Sequence, residues 1–143
     1  MAVPVLEAIA DAIMAFEGWK VGSRSYRNRN PGNLRAATLP HEMDAGGYCV
    51  FQSMVTGYQA LLRDLRAKVT GQNTHGLNAD SSLLDLMSVY APALNFNSPM
   101  MYAAFIAAWL SDVYAPWEFG TLHTISAVFH YADQELPVGQ SGS

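Results

Sequence analysis

The chain has 143 residues, a length that suits a single domain with one hydrophobic core. Half of the residues are apolar but only 14% are charged, so polar functions fall mainly to uncharged side chains. The formal net charge of −4 and the lack of a Lys/Arg-rich run argue against nucleic-acid binding and give no overall attraction for anionic polymers.

The cysteine, histidine and apolar residues indicate which cofactors and which cellular location to expect. Cys49 is the single cysteine, so no internal disulfide forms, and its apolar neighbours predict a core or strand residue. The cysteine and the four histidines show no metal-ligand spacing, so we expect no metal or cofactor. We find no signal peptide, which predicts synthesis in the cytoplasm. The apolar stretch from Pro99 to Leu110 is too short for membrane insertion.

The first predicted helix runs from Val3 to Phe16, where apolar residues recur at helical spacing. Pro4 falls in the first turn, where proline is tolerated. Gly18 is typical of a helix C-terminus, which puts Glu17 at the helix end.

A loop and a small hairpin are predicted next. Residues 22–35 are rich in Asn, Pro and Gly, which predicts a loop. Residues 34–38 and 48–52 are predicted to pair as two short strands. The polar segment 40–44 and the pair Gly46-Gly47 are expected to connect them.

Four more helices are predicted in the rest of the chain. They are a helix capped by Ser53 or Thr56 and ending near Val69, Ser81–Tyr90 capped by Asp80, a helix begun by Ser98-Pro99 and ending near Val113, and residues 121–132. The sequence thus predicts one domain over residues 1–136 and a flexible tail over residues 137–143. Its fold class is mostly α (α+β), with about five helices and a small β-hairpin after the first helix.

Glu17 is the residue with the clearest potential for chemistry. Phe16 and Trp19 place apolar surface beside its carboxyl group, which disfavours the charged form and suits a general acid. A carboxylate at a helix C-terminus also opposes the helix dipole, so a purely structural choice would favour another residue. The alternative is an ordinary solvated side chain at a helix end, and residue chemistry alone leaves both interpretations open.

A polar segment dense in amide and guanidinium groups follows at residues 26–35. Such side chains suit the hydroxyl and N-acetyl groups of sugars, although loop Asn residues also bond to their own backbone. The candidate substrate-binding residues here are Tyr26, Arg27, Asn28, Asn30, Asn33 and Arg35.

These residues carry a family resemblance. Glu17-Gly18-Trp19, followed by Arg-Asn-Arg-Asn-Pro-Gly-Asn-Leu-Arg at residues 27–35, resembles a motif of small lysozyme-like domains in phage and prophage proteins, often labelled virion structural proteins. The later parts that match in order are Phe51, Gly57-Tyr58-Gln59-Ala60-Leu61, Tyr90-Ala91-Pro92, Asn97-Ser98 and Tyr102. The departures are Arg29 for the family's middle Asn, Tyr90 for Trp, and Asn95-Phe96 for Glu-Asn.

The resemblance implies a lysozyme-like fold and a glycosidase that cleaves peptidoglycan, either a lytic transglycosylase or a muramidase. Glu17 would be the general acid, and the target would be the β-1,4 bond between N-acetylmuramic acid and N-acetylglucosamine. Gln52, Tyr90 and Asn97 join the loop residues as candidate substrate-binding residues. The alternative is a non-catalytic phage structural or glycan-binding module on the same fold.

The step after protonation stays open. A two-carboxylate hydrolase needs a second acid, and only Glu42 and Asp44 lie near in the sequence, within a predicted turn. Without such an acid the 6-hydroxyl of the substrate attacks, as in a lytic transglycosylase. We expect a monomer that acts on bacterial peptidoglycan in the periplasm or at the cell wall, delivered by virion or secretion-system proteins.

Overall fold

The computed structural model describes residues 2–90 and 98–139, which contain six helices and one two-stranded antiparallel sheet. In chain order the elements are Val5–Phe16 (α1), Arg24–Arg27 (α2), Glu42–Met43 (β1), Cys49–Val50 (β2), Met54–Val69 (α3), Leu83–Tyr90 (α4), Pro99–Val113 (α5) and Ile125–Tyr131 (α6). The described residues are therefore mostly α with a small β element, as the sequence predicts.

The chain divides into two compact units. One is Ala10–Leu65, and the other combines Met1–Ile9 with Arg66–Ser143. Helices α1 and α3 each contribute residues to both units, because the divisions fall after Ile9 and after Leu65. Within residues 2–90 and 98–139, none of the helices has the length and apolar character that crossing a lipid bilayer requires.

The core of the Ala10–Leu65 unit is built from one face of α1, the strand β2 and one face of α3. The Tyr58 hydroxyl on α3 donates a hydrogen bond to the Asp11 carboxylate on α1 at 2.8 Å, which ties the two helices. The Ser53 hydroxyl accepts the Thr56 backbone N–H at 3.1 Å, so Ser53 is the cap of α3. Side chains buried in this unit include Ala12, Ile13, Cys49, Phe51, Leu61 and Leu65.

The hairpin differs from its prediction in one strand. Residues Cys49–Val50 form β2 as predicted, but the first strand is Glu42–Met43, so the prediction of residues 34–38 was wrong. Leu34 still accepts a hydrogen bond from the Cys49 N–H at 2.9 Å, without extended pairing. The tight turn that joins Asp44 to Tyr48 sets this register, because the Asp44 N–H donates to the Tyr48 carbonyl at 2.8 Å.

The predicted loop contains one short helix. Residues 24–27 form α2 because the Ser23 hydroxyl accepts the Tyr26 backbone N–H and caps the turn. The four residues of α2 are polar and show no apolar periodicity, so the pattern that predicts the longer helices gives no signal for α2.

The second unit packs α4 against α5. Ser98 and Pro99 begin α5 as predicted, and Thr124 caps α6, which is shorter than predicted. The predicted cap of α4, Asp80, is wrong: Ser82 and Asp85 exchange hydrogen bonds, both 3.0 Å long, between their side chains and backbone N–H groups.

The C-terminal segment is described as far as Gly139. The guanidinium of Arg66 donates two hydrogen bonds, 3.0 and 2.7 Å long, to the Val138 carbonyl. Part of the predicted tail at residues 137–143 is therefore attached to α3.

Candidate active site

The end of α1 sets the position of Glu17. Gly18 has a left-handed backbone (φ 73°), and its N–H donates to the Ala15 carbonyl while the Trp19 N–H donates to the Met14 carbonyl, both at 3.2 Å. This pair of bonds is a Schellman motif, in which glycine reverses the chain at the least conformational cost. Glu17 is therefore the last residue before the reversal, and its side chain is half-buried.

The polar loop returns to Glu17 through Asn33. The Asn33 amide nitrogen donates a hydrogen bond to Oε2 of Glu17 at 3.2 Å. Asn33 has a left-handed backbone (φ 48°), which Asn adopts more easily than most residues. The turn at residues 30–33 therefore contacts the Glu17 carboxyl group. Because Oε2 keeps acceptor capacity in both protonation states, the amide can hold the carboxyl group before and after proton transfer.

The second polar atom of the same amide is unusual. Oδ1 of Asn33 is buried and has no hydrogen-bond partner within the described part of the chain. Leaving a buried acceptor without a donor costs about 1–3 kcal/mol. The amide is thus oriented toward Glu17 at the expense of its own carbonyl group.

Asn30 holds the loop together from inside. It is fully buried, and its amide nitrogen donates to the carbonyls of Leu34 and Cys49, both at 3.0 Å. Its Oδ1 accepts the Leu34 N–H at 2.9 Å. Although the sequence indicates Asn30 as a substrate-binding candidate, in this geometry it fixes the loop to β2 and presents no surface to a ligand.

Asn28 and Asp44 form a second internal contact. Asn28 is buried, and its amide donates to one carboxylate oxygen of Asp44 at 2.8 Å. The other Asp44 oxygen accepts the N–H groups of Gly46 and Tyr48, both at 2.9 Å. The bonds from Tyr48 and Asn28 are the main causes that lower the pKa of Asp44 below its ordinary value of 3.8. The Asp44 carboxylate therefore stabilises the turn. The other acid near in the sequence, Glu42, is exposed on β1.

A pH experiment follows from the lowered pKa of Asp44. Because the pKa is lower in the folded state, the ionised carboxylate stabilises the fold above the unfolded pKa, and this contribution is lost as the pH falls through the folded pKa. We expect Asp44→Asn, which turns an amide toward Asn28, to have a lower urea midpoint than wild type at about pH 6 and a smaller deficit at about pH 2.5. Asp112→Asn, at an exposed position of α5, is the control.

The remaining loop candidates are exposed. The Tyr26 ring lies 5.1 Å from the Trp19 ring, which joins α2 to the segment that follows Glu17. Arg27 is exposed on α2. The guanidinium of Arg35 donates to the Tyr48 hydroxyl at 2.9 Å and lies 4.2 Å from the centre of its ring.

The three remaining substrate-binding candidates are Gln52, Tyr90 and Asn97. Gln52 is exposed, two residues after the end of β2. Tyr90 belongs to the other unit, where its ring lies 6.1 Å from that of Tyr102 and 5.6 Å from the Lys68 ammonium group. Asn97 falls outside the residues that the structure describes.

Two residues contribute to the site in roles that the sequence did not indicate. Tyr48 packs against the guanidinium groups of Arg24 and Arg35, contacts between residues too distant in sequence for a local pattern to show. Gly57 lies where α3 meets the loop, since a Cβ there would fall 1.9 Å from the Arg29 carbonyl oxygen. A glycine inside a predicted helix was the available signal for such a close approach.

Cys49 is fully buried in β2, which confirms its prediction as a core or strand residue. Burial raises the pKa of the Cys49 thiol and so disfavours the thiolate. Among the described residues, no group of three or more His, Cys, Asp and Glu side chains is arranged to hold a metal ion.

The comparisons with known proteins found no matching family model, no matching curated protein and no matching solved structure.

Proposed function

We propose that the protein has a lysozyme-like fold and cleaves the glycan strands of peptidoglycan, with Glu17 as the general acid. The observation that carries this proposal is the half-buried Glu17 carboxyl group, which ends a helix and accepts a hydrogen bond from Asn33 of the adjacent polar loop. A general acid needs such a fixed, partly desolvated carboxyl group at the wall of a polar surface. The motif that joins Glu17 to residues 27–35 adds the family resemblance.

The chemistry begins with proton transfer from Glu17 to the oxygen that links N-acetylmuramic acid to the next N-acetylglucosamine. As that bond breaks, positive charge develops on C1 of the muramic sugar. We propose that the sugar's own 6-hydroxyl oxygen then attacks C1, and that the Glu17 carboxylate takes the hydroxyl proton. The product is a 1,6-anhydro sugar, and Glu17 is again protonated.

The choice of an internal nucleophile depends on the second carboxylate. The two oxygens of Asp44 accept three hydrogen bonds, two from N–H groups of its own turn and one from the Asn28 amide. A carboxylate with this many donors is held away from the role of nucleophile or base in a two-carboxylate hydrolase. We therefore propose a lytic transglycosylase rather than a muramidase.

Product analysis tests the reaction. We expect purified peptidoglycan, after digestion with the protein, to release muropeptides with 1,6-anhydromuramic ends. Each is about 18 mass units lighter than its hydrolytic counterpart, because no water molecule is added across the broken bond. Mass spectrometry distinguishes the two products. Reducing ends alone would show hydrolysis and contradict the internal nucleophile, whereas the absence of both would contradict catalysis.

A non-catalytic glycan-binding module on the same fold is the second candidate. The commitment of Asp44 to its turn favours this alternative as well, since it removes one of the two nearby acids from the chemistry. Co-sedimentation with peptidoglycan in the absence of any released product would support the binding module. In either case we propose delivery to the periplasm or cell wall by a virion or a secretion system.

A further inference from the structure

The charges of this protein are strongly segregated along the chain. Residues 20–35 contain five of the eight cationic side chains and no Asp or Glu. This segment therefore has a formal charge of +5, and the other residues, with three cations and twelve acids, have −9. The net charge of −4 is therefore the sum of a positive segment and a negative remainder.

Three of these cations are arginines that we call the basic cluster: Arg24 and Arg35, which both contact the Tyr48 ring, and Arg27, which shares α2 with Arg24. The guanidinium carbons of Arg24 and Arg35 each lie 4.2 Å from the centre of the Tyr48 ring, so they are no further apart than twice that distance. Arg27 follows Arg24 by three residues on α2, which places both on the same side of the helical turn. All three side chains are exposed.

The contacts of the basic cluster hold the guanidinium groups in place, and the nearby Asp44 carboxylate interacts with Arg24 and offsets part of its charge. Arg35 donates to the Tyr48 hydroxyl at 2.9 Å and to the Gly46 carbonyl at 3.4 Å, both neutral groups. A ring face attracts a guanidinium group and offsets part of the repulsion between neighbouring cations. The guanidinium groups are thus positioned in advance, with donors left for an anion.

The basic cluster belongs to the same unit as Glu17 and is connected to it by two contacts. The Tyr26 ring, between Arg24 and Arg27 in sequence, packs against Trp19, two residues after Glu17. Asn33, two residues before Arg35, bonds to Glu17 itself. The basic cluster and Glu17 therefore lie on segments that contact one another.

We propose that the basic cluster binds the carboxylates of the peptide stems attached to N-acetylmuramic acid, so that the protein recognises peptide-bearing strands rather than bare sugar. This inference rests on the proposed function. The sugar rings carry hydroxyl and acetamido groups, which need no cations, whereas the stems carry free carboxylates at each repeat. Guanidinium groups match carboxylates with two parallel hydrogen bonds, which favours this anion for an arginine cluster.

The test separates binding from cleavage by using Glu17→Gln as the starting protein. Its binding is measured by co-sedimentation with intact peptidoglycan and with chitin, a polymer of N-acetylglucosamine that carries no carboxylate. We expect Arg24→Gln/Arg27→Gln to weaken binding to intact peptidoglycan on the order of tenfold, and to leave binding to chitin unchanged. Added salt should reduce the difference. The matched control with the same charge change is Arg63→Gln/Lys68→Gln.

Equal binding of the two double variants to intact peptidoglycan would overturn the inference, as would an equal loss on chitin. A loss confined to phosphate polymers, such as teichoic acid or DNA, would also overturn it. If the double variant does not fold, the single variant Arg27→Gln replaces it, because this change leaves the contacts of Arg24 and Arg35 with Tyr48 intact. If stem-dependent binding is found but wild type releases no product, the proposed glycosidase fails and the inference stands. If wild type releases product but binding does not depend on the stems, the proposed glycosidase stands and the inference about the basic cluster fails.

Discussion

Replacement of Glu17 by Gln is expected to reduce the release of soluble fragments from peptidoglycan by about a hundredfold or more. The amide has the shape of the carboxyl group but cannot donate a proton to the glycosidic oxygen. Its oxygen can still accept the hydrogen bond from Asn33, so the fold should be preserved. Loss of turbidity and mass spectrometry of the supernatant measure the rate, and thermal unfolding checks the fold.

The control for this variant is Glu118→Gln, which removes the same charge at an exposed position. We expect that control to retain wild-type turnover. A Glu17→Gln protein that cleaves peptidoglycan at a rate near wild type would contradict the assignment of the general acid.

Replacement of Gly57 by Ala is expected to cost about 3 kcal/mol of stability. The new Cβ would lie 1.9 Å from the Arg29 carbonyl oxygen and 3.1 Å from Cδ of Pro31, so α3 and the loop must separate. Alanine gains about 1 kcal/mol in helix propensity over glycine, which is too little to offset overlap with a backbone atom. Urea denaturation measures the loss.

Gly120→Ala is the glycine control, because the nearest neighbour of its Cβ would be Nδ1 of His123 at 3.8 Å. We expect it to change stability by less than about 0.5 kcal/mol. Since residues 29–33 include Asn33, a Gly57→Ala protein that still folds should also lose activity. Wild-type stability of the Gly57→Ala protein would show that α3 does not approach the loop this closely.

The helix ends were the part of the fold most accessible from the sequence. Ser98 with Pro99 and Gly18 act through hydrogen bonds and backbone conformations within a few residues, so the local sequence contains their signal. Where two capping residues compete within a few positions, the sequence does not choose. At α4 the choice falls on Ser82, which also forms a bridge with Thr124, a residue 42 positions away.

The remaining errors concern contacts that residue type alone does not show. The pairing of Met43 with Cys49 depends on the turn that Asp44 closes through its hydrogen bonds, and the strand pattern contains no signal for that turn. Asn30 shows the same limit for the site. An Asn in a loop has one sequence signal, whether its amide faces a ligand or, as here, two buried backbone carbonyls.

The resemblance indicated Glu17 and the loop together, and the structure brings Asn33 and Glu17 into contact. It did not explain the role of each position. Gly57 occurs in the matching motif, and its physical reason is the Arg29 carbonyl that packs against it.

Because Glu17 ends α1, its location depends on how many residues the helix contains. Each residue added between Val5 and Phe16 moves the helix end by about 1.5 Å and turns it by about 100°. A single insertion would thus point the carboxyl group away from Asn33, and an insertion of four residues would restore its direction but displace it by about 6 Å. The number of residues in α1 is therefore a determinant of the site, whereas the exposed loop around Gly76 can change in length without moving the acid.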